Sequence, residues 1–386
     1  MSAPGYPCDY PQVTQAAINY EFDTRPETGF TMPVADGILW LRMPLPFAMG
    51  HINLWLLRDD DGWAIVDTGV FTEDARKVWT QTFADALNKE RISRVIVTHL
   101  HPDHVGCAGW LADEQAVDLW MSRTEYLLCR ILVADTGRTA PDEGTRFYHA
   151  AGFPADAMVR YRDMFGLFGK YVAPLPEAYK RLADGDLLSI GNDRWEIVIG
   201  RGHSMEHACL YNKERNMLIS GDQILPTISS NVSVYPTEPA ANPLHDWIES
   251  LTMMKQRVPD DVLVLPAHGK PFRGAHGRVD ALIDEHLDGL KALLDLCKKP
   301  IRAVDAFPAL FKSEITGKNL MLATGESIAH LNYLLNDGSI VAEPDDDDVI
   351  WYRQARLNKS RLQRRCGSRE PERSSPPPVT SLATVQ

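Results

Sequence analysis

One stretch constrains this chain more than any other: Val95-Ile96-Val97-Thr98-His99-Leu100-His101-Pro102-Asp103-His104-Val105-Gly106. The apolar, β-branched start at Val95–Val97 has the composition of a buried strand. Directly after it stand four groups able to bind a metal, His99, His101, Asp103 and His104. His99 and His101 are two positions apart, so an extended strand end points both imidazoles to one side. Pro102 fixes φ and turns the chain, which lets Asp103 and His104 approach from a second direction. Such a loop suits two metal ions side by side, each needing several nitrogen or oxygen ligands. Four ligands cannot hold two cations, so the rest of the chain must bring more groups to the same place.

Three further strand ends supply them. Ile38–Met43 and Ile52–Leu57 read as strands, Asp59–Gly62 as a turn and Trp63–Val66 as the returning hairpin partner. That strand ends in Asp67-Thr68-Gly69, where Asp67 is either a turn residue or a group that orients a metal-binding histidine. Thr72–Asn88 has helical spacing (Ala75, Val78, Trp79, Phe83, Ala86, Leu87), and Gly106–Glu114 begins the helix behind the metal-binding loop. Strand, helix, strand in that order implies a layered α/β arrangement. Strands resume at Asp186–Ile190 and Trp195–Ile199, the second emptying into Gly200-Arg201-Gly202-His203-Ser204-Met205-Glu206-His207. The hairpin Cys209–Tyr211 and Met217–Ser220 ends in Gly221-Asp222. After a helix over Pro243–Val258, the strand Val262–Pro266 closes on Ala267-His268-Gly269. His203, Asp222 and His268 thus join His99, His101, Asp103 and His104, the set two adjacent cations require when one carboxylate bridges them.

In this order THLHPDH, GRGHSMEH, SGD and PAHG, with VDTG upstream, resemble the motifs of metallo-β-lactamase-fold hydrolases over residues 35–290. The resemblance implies a four-layer αβ/βα sandwich of two mixed β-sheets flanked by helices, with the site at one edge. Carried over by position, His99, His101 and His203 bind a first metal, Asp103, His104 and His268 a second, and Asp222 bridges. Asp103 also orients a metal-bound hydroxide, the expected nucleophile; no serine-nucleophile motif is present. Asp222 favours the glyoxalase-II-like branch over true β-lactamases, and His101 stands where the oxygen-reducing diiron branch carries Glu. Relatives commonly show Pro-Gly where Met205-Glu206 stands, a change beside His203 that leaves the ligand in place. His207 is read as an orienting or structural group. Two divalent ions are expected, zinc first, with iron or manganese compatible with the same donors.

The remaining segments frame that domain. Residues 1–34 read as an N-terminal extension wrapping the surface, and 122–181 as a helical insertion rich in aromatics and methionines, core or lid. Residues 291–352 resemble a C-terminal helical, winged-helix-like module, in which His330 reads as a helix-face or core residue. Residues 353–386 form a basic, then Pro/Ser-rich tail expected to be disordered. Lys270, Arg273, His276 and Arg278 follow the last ligand and are candidate substrate contacts. The net charge of −12 argues against polynucleotide partners. A small thioester, ester or lactone is therefore the expected substrate, ahead of a phosphodiester or RNA, and ahead of a non-catalytic ligand-binding role. No apolar run is long enough to span a membrane. Six scattered cysteines and a start without basic or apolar character suit a cytoplasmic protein, with a homodimer as the assembly considered.

Overall fold

The computed structural model describes residues 18–46, 49–317 and 319–356. After the short β1 (Asn19–Tyr20), the first sheet runs in chain order through β2 (Thr31–Ala35), β3 (Ile38–Pro44), β4 (His51–Asp59), β5 (Gly62–Val66), β6 (Ile92–Ile96), β7 (Leu119–Ser122) and β8 (Lys180–Leu182). Strands β2 to β5 are an antiparallel meander and β5 to β8 are parallel. Connections dictate the change. A tight turn returns β4 into β5, whereas β5 reaches β6 through α1 (Glu73–Ala84), and β6 reaches β7 through α2 (Pro102–Val105) and α3 (Ala108–Gln115). Helix α1 starts where the Thr72 hydroxyl accepts the Ala75 N–H, and its buried Trp79 donates to the Thr68 carbonyl at 2.8 Å. Between β7 and β8 lie α4 (Arg123–Ala134), α5 (Asp142–Ala150) and α6 (Ala155–Met164).

The second sheet continues with β9 (Leu187–Ile190), β10 (Asp193–Gly200), β11 (His207–Asn212) and β12 (Met217–Gly221), all antiparallel. Helix α7 (Pro243–Arg257) then crosses over to β13 (Leu263–Pro266), parallel to β12, and β14 (Phe272–Arg273) follows antiparallel. β1 pairs Tyr20 with Phe272 at the edge of this sheet, and β2 pairs Met32 with Trp40 at the edge of the other. The described part of the stretch expected to wrap the surface thus covers two sheet edges that would otherwise expose unpaired backbone.

Side-chain alternation shows how the sheets stack. Trp55 and Leu57 of β4 share a core with Trp195, Ile197 and Ile199 of β10 and with Leu263 and Leu265 of β13. Ile52, Leu54 and Leu56, on the other face of β4, pack with Trp79 of α1 and Leu111 of α3. On the far side, Val198, Leu218 and Val264 pack against Trp247 and Leu251 of α7. The result is the expected four-layer sandwich of two mixed sheets between helices.

The C-terminal segment comprises α8 (Ala275–Leu296), α9 (Phe307–Leu310), α10 (Leu320–Asn336) and the hairpin of β15 (Ile340–Pro344) with β16 (Ile350–Gln354). Leu290, Leu293, Ile328 and Leu331 join the core of α7 and the second sheet, so this module has no separate hydrophobic centre. The aromatics of the insertion are also core: Tyr148, Phe153, Met158 and Tyr161 form a satellite cluster with Val304, Leu320 and Met321. The tail was expected to begin at residue 353, yet Arg353 and Gln354 belong to β16; the rest of it beyond Arg356 lies outside the described residues, as do residues 1–17.

Candidate metal centre

Parallel pairing of β5 and β6 brings their C-terminal ends side by side. Asp67, just past β5, sits at φ +62, a left-handed conformation Asp tolerates better than most residues. Its buried carboxylate accepts the Thr98 N–H at 2.8 Å, the Thr98 hydroxyl at 2.9 Å and the His104 Nδ1–H at 2.8 Å. One carboxylate therefore clamps both ends of the 98–104 loop. Pro102 opens α2, and that single turn swings His104 back beneath Asp67. His104 Nδ1 keeps its proton on this bond, which leaves the Nε2 lone pair facing the site.

The opposite wall comes from the second sheet. Past β10, His203 Nδ1–H donates to the Asn231 carbonyl at 2.8 Å. Past β12, the Asp222 N–H donates to His207 Nε2 at 3.1 Å. Gly221 between them is at φ +50, and a Cβ there would lie 2.5 Å from the His207 ring, so no larger residue fits without displacement. Past β13, His268 Nδ1–H donates to the His51 carbonyl at 3.2 Å. Buried Asn53 of β4 pins the same loop, donating to the Pro266 and Gly269 carbonyls at 2.9 and 2.8 Å while accepting from Trp40.

These elements bring the seven predicted groups together. His99 Nε2 lies 2.9 Å from His101 Nδ1 and 3.3 Å from His203 Nε2. Asp222 Oδ2 lies 3.4 Å from both His203 Nε2 and His104 Nε2, and its Oδ1 is 3.6 Å from His268 Nε2. Asp103 Oδ2 is 3.3 Å from His268 Nε2 and 3.8 Å from His104 Nε2. Two adjacent clusters result, His99–His101–His203–Asp222 and Asp103–His104–His268, each with its donor atoms within 4.8 Å of one another. Asp222 stands between them.

The arrangement fits divalent cations. His104 Nε2 and Asp222 Oδ1 are buried without a hydrogen-bond partner, and a buried polar atom left unmatched costs about 1–3 kcal/mol. Burial and the neighbouring imidazoles hold His99 well below the usual histidine range, and burial with His203 pushes His101 down to about 3, so both present lone pairs. Against the same burial, the carboxylates of Asp67, Asp222 and Asp103 raise His104 well above that range. Asp222 is held well below the usual carboxylate range although burial opposes it, His104 being the largest favourable neighbour. These carboxylates thus favour positive charge at this point, which a bound cation would supply, and imidazole nitrogen with carboxylate oxygen suits divalent transition metals.

The other predicted residues lie outside the cluster. His207 is spent on the Asp222 backbone. Lys270 Nζ donates to the Phe22 carbonyl at 3.2 Å, over the Tyr20 ring, and Arg273 pairs with Glu21. His276 bonds Asp260 and the Val258 carbonyl. Arg278 is buried, donating to the Leu225 and Ile228 carbonyls at 2.5 and 2.8 Å. Substrate contact was the expectation for these four. Their polar groups instead fasten β1 and the turns around α8, beyond Gly269 and Gly274, both at positive φ.

Several supporting residues escaped the sequence reading. Buried Glu125 of α4 accepts the Leu100 and Glu206 N–H groups at 3.0 and 2.8 Å, joining the two histidine loops. Glu206 returns the favour by accepting the Thr124 N–H at the start of α4 at 2.8 Å, which gives the Met205-Glu206 departure a structural role. Asn53 carried a visible signal, a lone amide inside an apolar strand. Asn231 carried none, since it acts through its carbonyl.

Comparison with known proteins agrees with this geometry. The profile of the metallo-beta-lactamase superfamily matches residues 49–268, and that of the metallo-beta-lactamase-like C-terminal domain matches 290–355. A solved beta-lactamase domain protein from Burkholderia ambifaria is 41% identical with a TM-score of 0.80, covering 88% of this chain and 98% of its own. The probable metallo-hydrolase YqjP of Bacillus subtilis is 24% identical over 82% of this chain and 98% of its length. The bovine acyl-coenzyme A thioesterase MBLAC2 is 22% identical over 50% of this chain and 64% of its length. Among the described residues no helix is long and apolar enough to cross a membrane. Fold, His/Asp cluster and matched span together mean that the chain belongs to the metallo-beta-lactamase superfamily, as one of its metallo-hydrolases.

Proposed function

We propose that this protein is a binuclear metal-dependent hydrolase of a small thioester, ester or lactone, with the thioester first. The observation that carries the binuclear reading is Asp222, whose carboxylate faces His203 on one side and His104 and His268 on the other at 3.4–3.6 Å. His99, His101 and His203 would hold one ion, Asp103, His104 and His268 the other, and Asp222 both. When bound, two such cations acidify a water and polarise a carbonyl oxygen. The chain's own part is proton placement: Asp67, the Asn231 carbonyl and the His51 carbonyl keep the protons of His104, His203 and His268 on Nδ1, so each Nε2 stays a lone-pair donor. His101 faces inward through Nδ1 instead.

The substrate class rests on chemistry and on kinship. A net charge of −12 disfavours polyanions, and one relative is named an acyl-coenzyme A thioesterase. Zinc is the first metal to test, with iron and manganese beside it; a small-molecule substrate, a cytoplasmic setting and a homodimer complete the reading. The experiment is elemental analysis of the purified protein with turnover of acyl-CoA thioesters, lactones, phosphodiesters and a short RNA at matched metal loading. Two ions per chain with thioester or lactone turnover are expected. Preferential cleavage of RNA or phosphodiesters overturns the substrate class, and a metal-replete protein inert on the whole panel overturns the enzymatic reading.

A further inference from the structure

The segment 229–234 is buried yet belongs to no helix or strand, so its polar groups need partners from elsewhere. On one side those partners are the metal-centre residues. Ser230 Oγ donates to the Asp222 carbonyl at 2.5 Å, and the Asn231 carbonyl receives His203 Nδ1–H at 2.8 Å. On the other side they are the C-terminal helices. Asn231 Nδ2 donates to Glu326 Oε2 at 2.7 Å, Ser233 Oγ reaches the Leu322 carbonyl at 3.2 Å, and Val234 N–H donates to the Gly325 carbonyl at 3.0 Å. Ser229 Oγ lies 3.3 Å from His286 Nε2, and His286 Nδ1 lies 3.2 Å from His330 Nε2. Gly325 lets α10 come this close: a Cβ there would stand 2.8 Å from the Ser233 side chain and 3.0 Å from the Val234 carbonyl.

Asn231 is the link between the two sides. Its side-chain oxygen accepts the Ser233 hydroxyl at 2.6 Å and its amide nitrogen donates to Glu326, so the side chain is held at both ends, which restrains the backbone carbonyl of the same residue. Resting on the reading of His203 as a metal ligand, we propose that Glu326 of α10 is a positioning residue for the metal centre, holding through Asn231 the carbonyl that orients His203. The C-terminal module is then part of the metal-binding apparatus and not an appendage to it.

The test uses the full-length protein stripped of metal and titrated with Co2+ against a chelator, together with the visible spectrum of the cobalt form, which reads ligand geometry. Glu326→Leu, which removes the acceptor at similar volume, should weaken Co2+ binding about tenfold, the low end for loss of a group that orients a ligand, and shift the cobalt bands. Glu326→Gln keeps an acceptor oxygen and should bind as the wild type does. Asn231→Ala should match Glu326→Leu, and the double variant should be no worse than Asn231→Ala, because both break one link. Should Glu326→Leu fail to fold, Asn231→Ala reads the same link. Wild-type affinity and spectrum in Glu326→Leu or Asn231→Ala overturn the inference, as does equal weakening in Glu326→Leu and Glu326→Gln. Wild-type protein that takes up no Co2+ overturns the metal-centre reading itself, and this inference with it.

Discussion

Asp67→Ala is the perturbation whose cost can be worked most directly. The wild-type carboxylate accepts the Thr98 N–H and the His104 Nδ1–H, both at 2.8 Å, in a site closed to solvent. Its removal strands the Thr98 N–H and leaves His104 only a 3.3 Å contact with Thr98 Oγ1. Each stranded buried donor costs about 1–3 kcal/mol, so the two together cost about 2–6 kcal/mol. Alanine at φ +62 adds about 1 kcal/mol of backbone strain. Against a typical total stability of about 5–15 kcal/mol the loss is severe. Urea unfolding of the metal-free protein should therefore show a much lower midpoint, and the surviving fold should bind metal about 10–100-fold more weakly because His104 is free to turn. Asp67→Gly loses the same acceptor without the strain and should be more stable than Asp67→Ala by about 1 kcal/mol. Asp67→Ala within about 1 kcal/mol of wild type, with full metal content, would refute the reasoning.

Asp222→Ala should lose the second ion and nearly all hydrolysis while keeping its far-ultraviolet circular dichroism; normal turnover with two bound ions would sink the bridging assignment. Gly221→Ala forces a Cβ to within 2.5 Å of the His207 ring at φ +50, so a loss above about 2 kcal/mol is expected from strain plus overpacking, read by urea unfolding; an unchanged midpoint would show that His207 moves freely. Burial pushes the Glu326 acid up to about 8, so its contribution to stability is present below the ordinary glutamate range and is lost as pH rises towards 8. Glu326→Gln cannot lose a proton, so its unfolding midpoint relative to wild type, measured without metal, should rise between pH 5 and pH 8; a constant difference would mean the carboxyl is ionised throughout.

The sandwich was legible because its central strands are apolar on both faces and are separated by clear turns, as Asp59–Gly62 separates β4 from β5. The edges were not. β1 is two residues long, too short for any alternation, and its place is fixed by Lys270 and Arg273 gripping Phe22 and Glu21. The same two bases had been read as substrate contacts for their nearness in sequence to His268. Nearness in sequence says nothing about direction once a glycine at positive φ intervenes, as Gly269 does. The β15–β16 hairpin was hidden because it closes on an acidic run, Asp345–Asp348, whose composition carries no strand signal; those residues are the turn itself, where Asp345 accepts the Trp351 indole N–H at 2.7 Å.

A difference in kind separates the site residues that could be read from those that could not. A metal ligand must be a particular residue type, and all seven candidates stand on the loops, or for Asp103 and His104 the short α2, that follow strand ends, so type and position coincide in the sequence. Asp67 and Asn53 were nearly as exposed to inference, because an acid at a strand terminus and an amide inside an apolar strand are both costly unless they hold something. The groups that orient His203 and His268 are backbone carbonyls, of Asn231 and His51, and any residue supplies a carbonyl. What must be specific there is the fixing of the segment that carries it, and for Asn231 that task falls to Glu326, 95 positions away in the chain. Orientation of a metal centre is thus delegated to the part of the molecule whose sequence says least about metal, which is why substitutions in α10 that touch no ligand should still register in metal affinity.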